Sequence, residues 1–193
     1  NDNTLWSGYP DPGNNPGAPK YLPVVRQLLF AGDYDSAANV WKRHMQGPYS
    51  ARYLPLADLW LHNQYKDTTT SSYYRDLDLN TATASVKYTI NGTTYHREAF
   101  ISHPAKVMVI RITADKSNSI NFTASLTSKL KYRILPGAVG QLILRGKAPS
   151  YVANRPSEPL QVVYDDPMAP GWTGEGMNFE VRIKIITEGG TVK

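Results

Sequence analysis

Apolar and polar positions alternate along much of this chain, and the alternation is clearest around a single turn. Val86, Tyr88 and Ile90 interleave with Ser85, Lys87 and Thr89, the period-two mark of a strand with one buried face. Asn91-Gly92 follows, two residues that tolerate positive φ and suit a type I′ hairpin, so the register is fixed and Tyr88 faces Tyr95. The same register sets Arg97 opposite Val86 on the apolar face and Glu98 opposite Ser85 on the other. A buried arginine needs a carboxylate or several carbonyls, because an unpaired buried charge costs several kcal/mol. Asp76 and Asp78 are the nearest acidic candidates, and Arg75, Asp76, Asp78 and Arg97 are read together as a structural charge node. A bulge that turns Arg97 outward is the rival account. After His103-Pro104, Val107 to Ile112 is apolar on both faces apart from Arg111, which predicts a strand in the middle of a sheet covered on both sides.

The same reading places the other elements. Residues 1–20 are dense in Gly, Pro, Asn and Asp and form no regular element, yet Leu5, Trp6 and Tyr9 gain by docking on the chain's own sheet or on a neighbour. Two short helices follow. Leu22, Val25, Leu28 and Leu29 recur at helical spacing after Pro23 and before Gly32; Tyr34, Ala37, Ala38, Trp41 and Met45 do so after a cap from Asp33 or Asp35, and that stripe is expected to lie against the sheet. Leu56 to His62 reads as a strand, Lys66 to Ser72 as loop, and Ile120 to Leu126, Leu142 to Leu144 and Phe179 to Ile185 as further strands. Residues 148–176 carry five prolines and form a long excursion in which only Leu160 to Tyr164 looks ordered. The sum is a mainly β, antiparallel β-sandwich with two short inserted helices, in a single domain over residues 1–193.

Composition narrows the chemistry. The 193 residues contain no cysteine, so thiol chemistry and disulfides are absent. The net charge of +5 comes from Lys and Arg scattered singly among acids, without the basic stripe that nucleic-acid binding requires. No run of about 18 apolar residues exists to span a membrane. His44, His62, His96 and His103 lack metal-ligand spacing, no GxSxG elbow or phosphate loop is present, and neither a metal nor a cofactor is expected. The two sequons at Asn91 and Asn121 are short enough to arise by chance.

Taken in order, five segments resemble the N-terminal β-sandwich of glycoside hydrolase family 95, the α-L-fucosidases and related α-L-galactosidases. They are NDNTLWSGYPD at 1–11, VRQLLFAGDYDSAANVW at 25–41, YLPLADLWL at 53–61, the long stretch 73–113, and GMNFEVRIKIITEGGTV at 176–192. The resemblance implies a supersandwich of the galactose-mutarotase type. It also implies a further segment before residue 1 and, after residue 193, a linker and a helical (α/α)6 barrel that carries the catalytic groups of an inverting mechanism. On that reading no catalytic residue lies in this chain, which serves as a supporting domain. Its partners are then the helical domain of the same polypeptide and, through it, a carbohydrate substrate. Asn3, Trp6 and Tyr9 become contacts to that domain or to its pocket rim. Bacterial export, to periplasm or medium, is implied too.

Two constellations are weighed against that background. Asp76 and Asp78, two apart on an extended segment, would sit about 7 Å apart, within the spacing of an inverting carboxyl pair. Without a cleft and a raised pKa, and beside Arg75, they read as structural. For a sugar ring to stack on, Trp172 and Tyr151 stand in irregular segments, as does Tyr164. A stand-alone carbohydrate-binding module is therefore the alternative function, and a plain adhesion sandwich a third.

Overall fold

The Asn91-Gly92 turn closes a two-residue hairpin with both residues at positive φ, 49° and 68°. Around it, β2 (Thr70–Asp78), β3 (Thr83–Ile90), β4 (Thr93–Ser102) and β5 (Val107–Ala114) form an antiparallel sheet in the order β2-β3-β4-β5; the first of the strands, β1 (Asp58–Asn63), pairs elsewhere. Tyr88 pairs with Tyr95 and Arg97 with Val86, as the turn dictates. The computed structural model describes residues 5–65, 67, 69–165 and 174–192.

Contacts divide the chain into two compact units, Asn1–Ala57 with Ser128–Leu135 and Ile143–Arg182, and Asp58–Thr127 with Pro136–Leu142 and Ile183–Lys193. In the second unit, β1 pairs antiparallel with β6 (Phe122–Thr127), setting Leu59 against the buried Leu126. The core of this unit is aromatic. Tyr88, Ile90 and Tyr95 are buried, with Tyr65, Val86 and Ala114 against them. The Tyr88 and Tyr95 rings stack at 5.4 Å, and the Tyr65 and Tyr88 hydroxyls share a 2.5 Å hydrogen bond. Burial first, and then that bond, push the Tyr65 hydroxyl well above the ordinary tyrosine range.

In the first unit, α1 (Leu22–Phe30) follows a 3-10 turn at Ala18–Tyr21 and leads into α2 (Tyr34–His44). Gly32, at φ 79°, ends α1 with two C-terminal bonds, its own N–H to Leu29 and that of Asp33 to Leu28, the pattern of a Schellman motif. Asp33 then caps α2 by accepting from the Ser36 N–H at 3.1 Å. The helices pack on one another and on the 3-10 turn, and the expected docking of the α2 stripe on a sheet is corrected in part. Ala37 is buried, whereas Trp41 is 46% exposed and Tyr34 68%.

The remaining strands are β7 (Lys131–Pro136), β8 (Gln141–Lys147), the short antiparallel pair β9 (Tyr151–Val152) and β10 (Val162–Val163), and β11 (Asn178–Lys184). The order β11-β8-β7 puts β8 in the middle. A core of Leu5, Leu54 and Ala148 is lined by Leu56, Leu130, Val152 and Phe179. The Phe179 ring lies directly over Gly146, where a Cβ would come within 2.1 Å of it. Arg145 donates twice to Glu180 Oε2, at 2.9 and 2.6 Å, and Arg182 bonds the other oxygen. These arginines hold the Glu180 carboxyl below the usual range, Arg145 more than Arg182.

The mainly β antiparallel class with two short helices is therefore observed. Several details differ from expectation: Ala18–Tyr21 forms a 3-10 turn at the end of the irregular arm, and β9 orders part of the excursion outside Leu160 to Tyr164. β2 begins at Thr70 inside the presumed loop, β7 is an additional strand, and β5 lies at a sheet edge instead of the middle. No described helix is long and apolar enough to cross a membrane.

Candidate functional site

The N-terminal arm is sewn down by its backbone. Leu54 N–H donates to Leu5 O, Ser7 N–H to Arg52 O, and Gly8 N–H to Pro149 O, at 2.8–3.0 Å, while the buried Ser7 hydroxyl accepts from Arg52 N–H. Leu5 is the anchor, 2% exposed. Extended alternation then turns Trp6 outward, edge-on to Tyr53 at 5.6 Å, and leaves Trp6 41% and Tyr9 51% exposed. The arm thus docks within its own unit and presents two aromatic faces.

Those faces border a hollow of about 510 Å³ lined by residues 6–10, Ala51 and residues 174–177. Its far wall requires glycine. Gly176 has φ 103°, and a Cβ there would fall 2.3 Å from Ala148 O; Ala148 N–H bonds Met177 O at 2.8 Å and pins the wall to the end of β8. Glu175 brings a carboxylate to this wall, and its N–H donates to Asp165 at 3.2 Å. The hollow is mainly apolar, with the Trp6 and Tyr9 faces and one acidic residue on its wall, a set that suits a ligand stacking a ring face on an aromatic or a neighbouring segment. Glu175 and Met177 were not singled out from sequence; the GEG spacing before a strand was the available signal.

The other candidates are distributed. Tyr151 is 39% exposed, but its hydroxyl donates to Glu158, which raises the Tyr151 pKa and lowers that of Glu158. Glu158 also accepts from the N–H groups of Asn154 and Arg155, so Tyr151 braces a loop. Arg155 bonds the Tyr49 hydroxyl and lies 5.5 Å from that ring's centre. Asn3 and Trp172 lie outside the described residues.

The pleat separates the four residues of the charge node. Arg75, Val86 and Arg97 form one row across the apolar face, whereas Asp76 pairs with Ser85 and Ser85 with Glu98 on the opposite face. Asp76 accepts from the Ser85 hydroxyl at 2.5 Å. Asp78 closes the β2–β3 turn, accepting from Asn80 N–H at 2.8 Å and the Thr81 hydroxyl at 3.0 Å, which hold its carboxyl below the usual range. The register between β3 and β4 is unbroken through Arg97, so no bulge turns it outward, and its Nε is buried without a hydrogen-bond partner among the described residues. Among the described residues no group of three or more His, Asp or Glu side chains could hold a metal ion.

Residues 1–193 match the model of the glycosyl hydrolase family 65 N-terminal domain. The chain belongs to that family. This N-terminal domain is 29% identical over its whole length to the Arabidopsis thaliana protein named alpha-L-fucosidase 2, and spans 23% of it. It is 33% identical over 125 residues to the probable alpha-fucosidase A of Aspergillus niger, an alignment covering 61% of this domain and 15% of that protein.

Proposed function

We propose that this glycosidase N-terminal domain is the non-catalytic partner of a helical catalytic barrel in an inverting exo-glycosidase of α-L-fucosidase type. It braces the barrel and lends the Trp6–Tyr9 arm to the rim of the substrate pocket. The observation that carries the reading is the match along the entire chain to a protein named α-L-fucosidase, of which the chain spans under a quarter. The acids add support. Asp78 is committed to a turn and Asp76 to Ser85, each as a hydrogen-bond acceptor in a structural contact.

The test compares the full-length gene product with the 193-residue chain. The full-length protein is expected to release terminal fucose with inversion of the anomeric centre, read by NMR, and the chain alone to release none. Fucose release by the chain alone would overturn the non-catalytic assignment. Tyr9→Ala in the full-length enzyme should lower kcat/KM while leaving the melting temperature unchanged, since Tyr9 is half-exposed. The hollow between Trp6, Tyr9 and Glu175 favours one alternative, a stand-alone carbohydrate-binding module. Calorimetric binding of fucosylated oligosaccharide to the chain alone, abolished by Trp6→Ala, would put that alternative first.

A further inference from the structure

The two edges of the four-stranded sheet are built differently. The β2 edge carries the usual protections against strand addition, a register shift between Ser71 and Tyr73, positive φ at Ser72, and the charges of Arg75, Asp76 and Asp78. The β5 edge carries almost none. VMVIRITA pairs with β4 without a register shift, has no proline, and bears one charge, Arg111. It is apolar on both faces, the composition of an interior strand, yet Val107 is 47% and Met108 64% exposed. Its outward backbone groups can be assigned. Asp115 N–H bonds Thr94 O, so by antiparallel alternation the amides and carbonyls of Met108, Ile110 and Ile112 point away from β4. Among the described residues no strand pairs with them.

We propose that the β5 edge is completed by a strand of the same polypeptide lying outside these 193 residues, apolar on both faces and carrying a carboxylate on the Arg111 side. The inference rests on the reading that this domain is one part of a longer enzyme. Arg111 supplies the charge complementarity, since its contact with Glu98 is a long 3.8 Å and its side chain is 64% exposed. A second copy of the chain fits less well. In a second copy the pairing edge would be β5 itself, which satisfies the backbone but carries no carboxylate for Arg111. A tethered strand also arrives at an effective concentration of order millimolar.

The test is residue-level hydrogen exchange on the full-length gene product, the 193-residue chain, and full-length Ile110→Pro, which removes only an outward N–H and so spares the β4 ladder. Expected in the full-length protein is exchange of the Met108, Ile110 and Ile112 amides at least ~100-fold slower than in the chain alone. Ile110→Pro should abolish this slowing at Met108 and Ile112 and also in one segment beyond the 193 residues. Fast exchange at these three amides in the full-length protein, with Trp6 and Tyr9 exchanging more slowly there than in the chain alone, would overturn the strand inference and leave the domain reading standing. If no amide of the domain differs between the two proteins, both fall. Protection in the chain alone that rises with its concentration would assign the edge to a second copy and overturn the inference.

Discussion

Gly146→Ala isolates one contact in the first unit and allows its cost to be worked out. Gly146 is in an ordinary region of φ, so alanine meets no backbone obstacle, and the lost flexibility of the unfolded chain should by itself stabilise by about 0.4–1 kcal/mol. Against this, the new methyl would stand 2.1, 2.5 and 2.6 Å from three carbons of the Phe179 ring, about 1.3 Å short of the 3.4 Å at which ordinary contact begins. Phe179 packs against the cluster of Leu5, Leu54 and Ala148, so the ring has little room to retreat. Overfilling a core of this kind costs about 1–3 kcal/mol. The net expectation is a loss of about 1–2 kcal/mol, a fall of roughly 2–8 °C in Tm for a chain of this size. Thermal denaturation of Gly146→Ala, Phe179→Leu and the double variant checks it. The double variant should be more stable than the sum of the single losses predicts, because the smaller side chain makes room for the methyl. A Gly146→Ala melting point at or above that of the parent, or strict additivity, would refute the reasoning.

Other expectations follow from the charges and the aromatic core. Glu180→Gln should cost about 1 kcal/mol at neutral pH, screening included. The Glu180 pKa is depressed by Arg145 and Arg182, so its contribution is present above the ordinary glutamate value and is lost as pH falls through the folded value; melts of the two proteins should converge in acid. Tyr65 titrates in the other direction. Its raised pKa stabilises the fold below the ordinary tyrosine value of about 10, and that contribution is lost as pH rises beyond it toward the folded value. Tyr65→Phe should therefore reduce the alkaline loss of stability, read from melts alongside tyrosinate absorbance. Asp78→Ala should lower thermal stability by undoing the β2–β3 turn while leaving intact the activity proposed for the full-length gene product, and an unchanged melting curve would count against that role.

What could be read from the sequence was what short-range chemistry determines. Asn91-Gly92 sets its own register, so the Tyr88–Tyr95 and Val86–Arg97 pairs followed from two residues. Gly32 and Asp33 punctuate the helices for equally local reasons. The charge node was not legible because it depended on the β2–β3 register, which the longer turn at Leu79–Ala82 does not fix by length. One residue of pleat parity put Asp76 and Arg97 on opposite faces. Strand β7 was hidden by Lys131, Arg133 and Pro136, residues that an edge position tolerates. In the hollow, Trp6 and Tyr9 stood out as large apolar groups in an irregular arm. Glu175 and Met177 reach the same place only through the long-range bond between Ala148 and Met177.

The stitching of the arm also bears on how the chain folds while it is being made. Leu5, Ser7 and Gly8 find their partners at Leu54, Arg52, Ala148 and Pro149. Roughly 140 residues separate Leu5 from Ala148, so at typical rates of synthesis the arm waits about 7–30 s for the last of its contacts to emerge. During that interval the Asn91-Gly92 hairpin can close locally, whereas Leu5 has Leu54 but not yet Ala148 to pack against. The side chains nearest the hollow are thus among the last to be locked, since its far wall at residues 174–177 is made later still.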